Sequence, residues 1–204
     1  MNWLAHIFLS ENHIGFQHGN LLADLLKGKS WEGADRRFIA GLAMHRAIDA
    51  YTDRHPQVLK SKARLRGGGR LKGVVIDITY DHLLARHWPR YAKIPLETFI
   101  ESFHRRSGEV LDDYPDAARD FLARLIRTGH LMDYASFDGI EKALWRIDQR
   151  LSPRVLARER ALDYLPLVND AMSEIETDFL LFMPDLIGHF KSVVNLSSAH
   201  HWLR

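Results

Sequence analysis

The amino-acid sequence predicts an all-α protein, a single helical domain of about eight to ten helices that covers residues 1–204. Apolar residues recur at the three- to four-residue spacing of helices and almost never alternate with period two. Glycine and proline lie mainly between these periodic runs. The chain of 204 residues, 46% of them hydrophobic, is long enough to bury one core without disulfide bonds or a structural zinc ion.

The clearest helix is the segment RRFIAGLAMHRAIDAYTD, where apolar residues from Phe38 to Tyr51 form one stripe beside charged residues. The other predicted helices are Asn2–Ser10, Asn20–Lys27, His55–Arg66, Lys72–Trp88, Leu96–Leu111, Asp116–Arg127, Ile140–Arg150, Leu156–Phe182 and Pro184–Val194. The predicted breaks between helices fall at Gly28, Gly33, Gly67 to Gly69, Pro89, Pro95, Gly129 and Pro184.

One segment could be either a strand or a helix. The run GVVIDITYD is rich in β-branched residues, as buried strands are. It continues without a break into HLLARHW, which makes a run of about 16 residues, longer than most strands. We therefore predict a helix.

Composition excludes several classes of protein. The absence of cysteine excludes a thiol nucleophile, an iron–sulfur cluster and a disulfide framework. The formal net charge of +2 does not indicate a nucleic-acid binder, and no apolar stretch reaches the length of a membrane span. We expect a cytoplasmic protein with no nucleic-acid or membrane partner; the sequence carries no signal for its oligomeric state.

Two aspartates and a histidine lie close together in the segment DITYDH. Asp77 and Asp81 are four residues apart and share one helix face, while His82 lies about 100° round from Asp81. Two carboxylates on a largely apolar helix repel each other unless a proton, an arginine or a metal ion lies between them.

A second group lies in MHRAIDAYTD. His45, Asp49 and Asp53 follow one another at intervals of four residues and line one helix face, with Arg46 beside them. The plain alternative is a solvated surface on which the aspartates pair with neighbouring arginines.

Asp24 and His6 complete the candidates. Asp24 lies four residues after Asn20 on the leucine-rich helix predicted for GNLLADLLKG, and His6 lies in the apolar first helix. Taken alone, His6 could be a hydrogen-bonded core histidine and Asp24 an exposed carboxylate. Taken with the other groups, imidazole and carboxylate donors suit a divalent cation such as Mn²⁺, Fe²⁺ or Mg²⁺.

Four segments, in order MNWLAHIFLS, GNLLADLLKG, HRAIDAYTDRHP and DITYDHLLARHW, resemble the acyl carrier protein phosphodiesterases. These bacterial hydrolases remove 4′-phosphopantetheine from holo acyl carrier protein. The family resembles a distant branch of the metal-dependent HD phosphohydrolases, so the resemblance implies an HD-phosphohydrolase-like helical fold. The adjacent His-Asp pair of that superfamily is absent, and Asp81-His82 has the reverse order.

The resemblance implies a phosphoric diester hydrolase that uses a divalent metal, with Mn²⁺ ahead of Mg²⁺ and Fe²⁺, and takes holo acyl carrier protein as its protein substrate. Arg46 is then the candidate clamp for the phosphate, and Asp49 orients Arg46 or a ligand histidine. The metal ligands are drawn from His6, Asp24, His45, Asp77, Asp81 and His82. A basic rim for the acidic partner is expected from Arg64, Arg66, Arg70, Lys72, Arg105 and Arg106.

Two other functions fit the same residues. One is an HD-type phosphohydrolase that acts on a nucleotide or another small phosphoester. The other is a helical adaptor without catalytic activity, which binds an acidic protein through its basic patches and uses the aspartates in ordinary ion pairs.

Overall fold

The computed structural model describes residues 1–67, 69–191 and 202–203. Across these ranges the protein has thirteen α-helices, two 3₁₀ helices (Leu111–Asp113 and Leu162–Tyr164) and no strand, which confirms the all-α prediction. Three of the helices have only four residues. The helices are α1 Trp3–Phe8, α2 Ile14–Leu22, α3 Arg36–Thr52, α4 Pro56–Arg64, α5 Lys72–Arg86, α6 Trp88–Tyr91, α7 Leu96–Gly108, α8 Asp116–Thr128, α9 His130–Asp133, α10 Phe137–Asp148, α11 Pro153–Leu156, α12 Leu165–Asp170 and α13 Met172–Phe190.

The chain divides into two compact units whose segments alternate along the sequence. Unit 1 contains Met1–Asn2, Asp49–Arg86 and Asp133–His189. Unit 2 contains Trp3–Ile48, His87–Met132 and the described residues from Phe190 onward. The sequence therefore offers no single linker at which the chain could be divided, and the expectation of one domain stays a prediction.

The core of unit 2 is built on α1, which is buried from Leu4 to Phe8. The ring of Phe8 lies 4.9 Å from that of Trp88, and the ring of Phe99 lies 5.0 Å from Trp88. Burial of such large aromatic side chains is a main source of stability in a domain core.

Two glycines let α2 and α3 pack with their backbones almost in contact. A Cβ atom on Gly19 would lie 2.0 Å from the carbonyl oxygen of Phe38, and one on Gly41 would lie 2.2 Å from that of Phe16. No side chain fits in either place. This close packing brings Asn20, the residue after Gly19, to the backbone of α3.

In unit 1, α5 packs its aromatic side against α13. The ring of Tyr80 lies 5.2 Å from Phe179 and 5.4 Å from Phe182. The guanidinium of Arg64 on α4 donates two hydrogen bonds to the carboxylate of Asp178 on α13, at 2.7 and 3.1 Å. The ambiguous segment GVVIDITYD lies within α5, so its helical prediction is confirmed.

The helix predicted at Asn20–Lys27 is placed too late in the chain. The helix α2 begins at Ile14 and ends at Leu22, and hydrogen-bonded turns follow up to Gly28. Lys27 and Gly28 both have positive φ, and the amide of Gly28 donates to the carbonyl of Ala23 at 2.7 Å. The polar and glycine residues that weaken the sequence pattern of α2 are nevertheless buried.

The prediction of one long helix at Leu156–Phe182 is also wrong. A 3₁₀ helix and the short helix α12 lie between the end of α11 at Leu156 and the start of α13 at Met172. The carboxylate of Asp148 accepts hydrogen bonds from the backbone amides of Ala161 and Leu162, at 2.6 and 3.3 Å. A side chain thus satisfies amides that a continuous helix would have used, and a separate 3₁₀ turn forms.

Pro184, predicted as a break, lies inside α13. The missing hydrogen bond is tolerated because Phe182 and Met183 before it and Leu186 after it are fully buried. Residues 192–194 of the predicted helix Pro184–Val194 lie outside the described ranges. No helix in the described ranges has both the length and the apolar character needed to cross a membrane.

The close packing of α2 and α3 predicts that Gly41→Ala destabilises the protein. The added methyl group must push the helix backbones apart, which typically costs about 1–3 kcal/mol, and Tm should fall by at least about 2 °C. The control is Gly188→Ala, because Gly188 is an exposed residue of α13 and a Cβ there would contact nothing. Thermal unfolding measures both; equal Tm values for the two variants would contradict the packing argument.

Candidate metal centre

Two buried histidines from different helices lie face to face in unit 2. The rings of His6 on α1 and His45 on α3 are stacked with centroids 4.1 Å apart and an interplanar angle of 18°. Their relative exposures are only 2% and 6%. One ring nitrogen of each lies within 4.8 Å of the other. Two positively charged imidazolium rings would repel at this distance, so the arrangement disfavours a charge on both rings at once.

Asn20 of α2 fixes the orientation of both rings. Its side-chain oxygen Oδ1 accepts a hydrogen bond from Nδ1 of His6 at 2.8 Å, and its backbone carbonyl accepts one from Nδ1 of His45 at 2.7 Å. Because both acceptors are carbonyl oxygens, Nδ1 carries the proton in each ring. When either imidazole is neutral, its lone pair is therefore on Nε2, the atom that binds metals in many proteins.

The amide of Asn20 is itself held in place. Its Nδ2 donates to the backbone carbonyl of His6 at 2.8 Å and to Oγ of Ser10 at 2.9 Å. Ser10 in turn donates to the same carbonyl at 2.7 Å. These contacts settle which end of the amide faces the imidazole, since only Oδ1 can accept from His6 Nδ1.

Asp24 supplies a carboxylate beside His45. Its Oδ1 lies 3.2 Å from Nε2 of His45, and its side chain is 90% exposed in the turn after α2. A carboxylate oxygen and an imidazole lone pair are both acceptors, so the contact requires a proton or a cation between them. Imidazole nitrogen and carboxylate oxygen are donors that fit Mn²⁺, Fe²⁺ or Zn²⁺.

Arg46 follows His45 on α3 and is exposed. Its guanidinium donates to the carbonyl of Gly28 at 3.4 Å, a long and weak hydrogen bond. The side chain thus lies against the turn that carries Asp24, and little energy is needed to move it toward an anion.

In unit 1, three of the predicted carboxylates lie around the first two residues. The Met1 amino group is 2.9 Å from Oδ1 of Asp77 and 3.9 Å from Oδ1 of Asp49, and the amide of Asn2 donates to Oδ1 of Asp81 at 3.3 Å. Burial by itself lowers the pKa of the Met1 amino group, but attraction to Asp77 and Asp49 outweighs it, and the pKa is raised. This carboxylate cluster therefore surrounds a positive charge.

His82 makes a different contact within unit 1. Its Nδ1 donates to the backbone carbonyl of Tyr134 at 2.9 Å, and its ring meets Phe137 edge to face. Burial is the main cause that lowers the pKa of His82. The imidazole is thus a neutral, buried group anchored to the chain after α9, while Asp77 and Asp81 contact the first two residues.

Two residues with an important role were not singled out from the sequence. In the sequence, Asn20 stands out only because it lies four residues before Asp24, a spacing that places two helical residues on the same face. His18 is fully buried between Tyr114 and Ser107, with both ring nitrogens 2.8 Å from a hydroxyl oxygen. No sequence pattern marks a hydrogen bond between groups 96 residues apart, such as that of His18 with Tyr114.

The fold and the site together define a helical protein with a cluster of imidazole and carboxylate donors. The family model described as acyl carrier protein phosphodiesterase matches residues 1–186. The chain belongs to this family, and it is accordingly an enzyme of the phosphoric diester hydrolase class.

Curated relatives match the sequence over nearly the whole chain. An acyl carrier protein phosphodiesterase of Enterobacter sp. (strain 638) is 30% identical over 194 residues, which are 94% of this chain and 98% of the relative. Those of Shigella boydii and Escherichia coli are each 31% identical, over 92% of this chain and 96% of the relative. No solved structure matches the chain significantly.

The role of Asn20 predicts a loss of metal affinity in Asn20→Ala. Without the Asn20 side chain, His6 loses the hydrogen bond that keeps the proton on Nδ1. Loss of a residue that orients a metal ligand typically weakens metal binding about 10–100-fold. The control is Ser10→Ala, which removes hydrogen bonds of the same network but leaves the His6–Asn20 contact. Calorimetric titration with Mn²⁺ measures both, and an affinity in Asn20→Ala equal to that of Ser10→Ala would contradict this role.

Proposed function

We propose that this enzyme hydrolyses the phosphodiester that joins 4′-phosphopantetheine to a serine of holo acyl carrier protein, and that it uses a divalent cation, Mn²⁺ ahead of Mg²⁺ or Fe²⁺. Membership of the family supports the substrate. The observation that carries the metal dependence is the fixed orientation of His6 and His45, whose Nδ1 atoms are both committed to Asn20.

The cation would be held by Nε2 of His6, Nε2 of His45 and the carboxylate of Asp24. The two imidazoles are buried and need no reorientation, which lowers the entropic cost of binding. Asp24 is exposed and can adjust its position. Three protein ligands leave coordination positions for water and for a phosphate oxygen.

The substrate is an anion that repels nucleophiles, so its phosphoryl oxygens must be neutralised before water can attack. A divalent cation supplies this neutralisation when bound, and it lowers the pKa of bound water. Arg46 would contact a second phosphoryl oxygen, where a guanidinium makes charge-assisted hydrogen bonds. Asn20 would keep the imidazole protons on Nδ1 throughout.

We assign the carboxylates of unit 1 smaller roles than that of Asp24. Asp77 and Asp81 remain candidate ligands, although the Met1 amino group already neutralises part of their charge. Asp49 lies one helical turn after His45 on α3, and we propose it as a positioning residue. His82 has the least support, because its ring is anchored to Tyr134.

The basic rim expected for an acidic protein partner is smaller than the sequence indicated. Arg64 is committed to the buried Asp178, and Arg106 donates to Gln17 and Asn12 at 2.8 and 3.2 Å. Arg66 and Arg70 are exposed in unit 1 and remain suited to contact carboxylates of a carrier protein.

The proposal predicts that the enzyme with Mn²⁺ converts holo acyl carrier protein to the apo form, and that Asp24→Asn lowers the rate at least about 100-fold, because a direct ligand matters more than an outer partner. The matched control is Asp53→Asn, which removes the same charge from an exposed carboxylate that accepts a hydrogen bond from Lys62 at 2.8 Å. Mass spectrometry of the carrier protein follows loss of the arm, and excess EDTA should stop it.

Two results would contradict the proposal. Hydrolysis of nucleotides without any action on holo acyl carrier protein would favour the small-phosphoester alternative. Full activity in the presence of EDTA, or equal rates for Asp24→Asn and Asp53→Asn, would exclude the proposed metal site.

A further inference from the structure

A cavity of about 280 Å³ in unit 2 has three aromatic side chains in its wall. The ring of Trp31 contacts both of the others, with centroids 4.7 Å from Phe38 and 5.5 Å from Tyr114. The rings of Phe38 and Tyr114 are 6.0 Å apart. The interplanar angles of 56° to 63° show that the three rings are inclined to one another and are not stacked. Phe38 and Tyr114 are only 1% and 9% exposed, so Trp31 presents the largest aromatic surface to the cavity.

Two carboxylates lie in the same wall. Asp35 precedes α3 and Asp113 ends the first 3₁₀ helix, and both are exposed to solvent. Burial, followed by the negative charges of Asp35 and Asp113, raises the pKa of Tyr114, so both carboxylates act on this part of the wall. None of the described residues that line the cavity is lysine or arginine. The cavity is therefore negative as well as aromatic.

Tyr114 is held rigidly from behind. Its hydroxyl group is 2.8 Å from Nδ1 of His18, whose Nε2 is 2.8 Å from Oγ of Ser107. Burial, assisted by the charge of Arg106, lowers the pKa of His18 to about 3, so the imidazole is neutral and brings no positive charge to the cavity. A wall fixed in this way binds a ligand without ordering itself first.

Glycine at position 15 leaves room for one of the carboxylates. A Cβ atom on Gly15 would lie 2.8 Å from Oδ2 of Asp35 and 3.3 Å from the ring of His13. The backbone amide of Arg37 donates to the other oxygen, Oδ1, at 3.1 Å. The hydrogen bond and the space beside Gly15 thus position the Asp35 carboxylate.

We propose that this cavity binds an organic ammonium group, either primary or quaternary, of a small molecule. Aromatic faces attract such cations through their quadrupoles, and the carboxylates add a Coulomb attraction that a neutral group of the same shape does not feel. The volume is slightly below the usual range for drug-sized ligands, which fits a headgroup better than a whole large molecule. This site shares no residue with the proposed metal centre, so it stands independently of the proposed function.

The test compares a cation with a neutral molecule of the same shape. Choline chloride and 3,3-dimethylbutan-1-ol are titrated at constant ionic strength, and the indole N–H signal of Trp31 is followed by two-dimensional NMR. We expect choline to shift this signal saturably and the alcohol at the same concentrations to shift it little. Comparison with Trp31→Phe identifies the signal.

Variants then separate charge from shape. Asp113→Asn removes one carboxylate and should weaken choline binding about fivefold. Asp112→Asn removes the same charge from the preceding residue, which is exposed and does not line the cavity, and should change the affinity much less. Equal shifts by choline and the alcohol, no saturable shift with choline, or equal effects of the two aspartate variants would overturn the proposal.

Discussion

The candidate centre depends on the hold that Asn20 has on two imidazole rings. A histidine can bind a metal only through a nitrogen without a proton, and it is the partner of the other nitrogen that decides which one that is. Here one residue supplies both partners, a side-chain oxygen for His6 and a backbone oxygen for His45. The backbone contact exists because Gly19 and Gly41 let α2 and α3 approach until only glycine fits between them. The packing of two helices thus determines which nitrogen of His45 carries the proton.

A second buried hydrogen bond in unit 2 positions a side chain in a similar way. His18 anchors Tyr114 through a buried hydrogen bond and stays neutral because it is removed from water. In both places a neutral, hydrogen-bonded group holds the side chain that it contacts. This costs less than supporting it with a buried charge, which would have to be paired to be tolerated. Unit 1 uses the charged alternative at Asp178, where the guanidinium of Arg64 meets the carboxylate with two hydrogen bonds.

The helical fold could be predicted because periodicity is a local property of the chain. The segment around Asp77 was correctly assigned to a helix since its length exceeds that of a strand. The errors lie where distant groups intervene. The carboxylate of Asp148 binds backbone amides and so interrupts a segment whose sequence has helical periodicity. The helix α13 continues past Pro184 because its neighbouring side chains are buried in the core.

The candidate site was predictable to a similar degree. Spacing on helices identified His45 and Asp24, and the structure places them 3.2 Å apart. Spacing could not show that His82 hydrogen-bonds to Tyr134, because the two residues are 52 positions apart. Nor could it reveal Asn20 as the common partner of two rings, since that role depends on the crossing of α2 and α3.

The central claim is that Nε2 atoms of His6 and His45 are available to one divalent cation. Pulsed electron paramagnetic resonance of the protein loaded with one equivalent of Mn²⁺ tests it most directly, because nitrogen ligands modulate the electron spin echo. The account predicts nitrogen couplings from two imidazoles in the unaltered protein and from one in His6→Gln. A Mn²⁺ signal without any nitrogen coupling would show a cation bound by oxygen alone and would contradict the account.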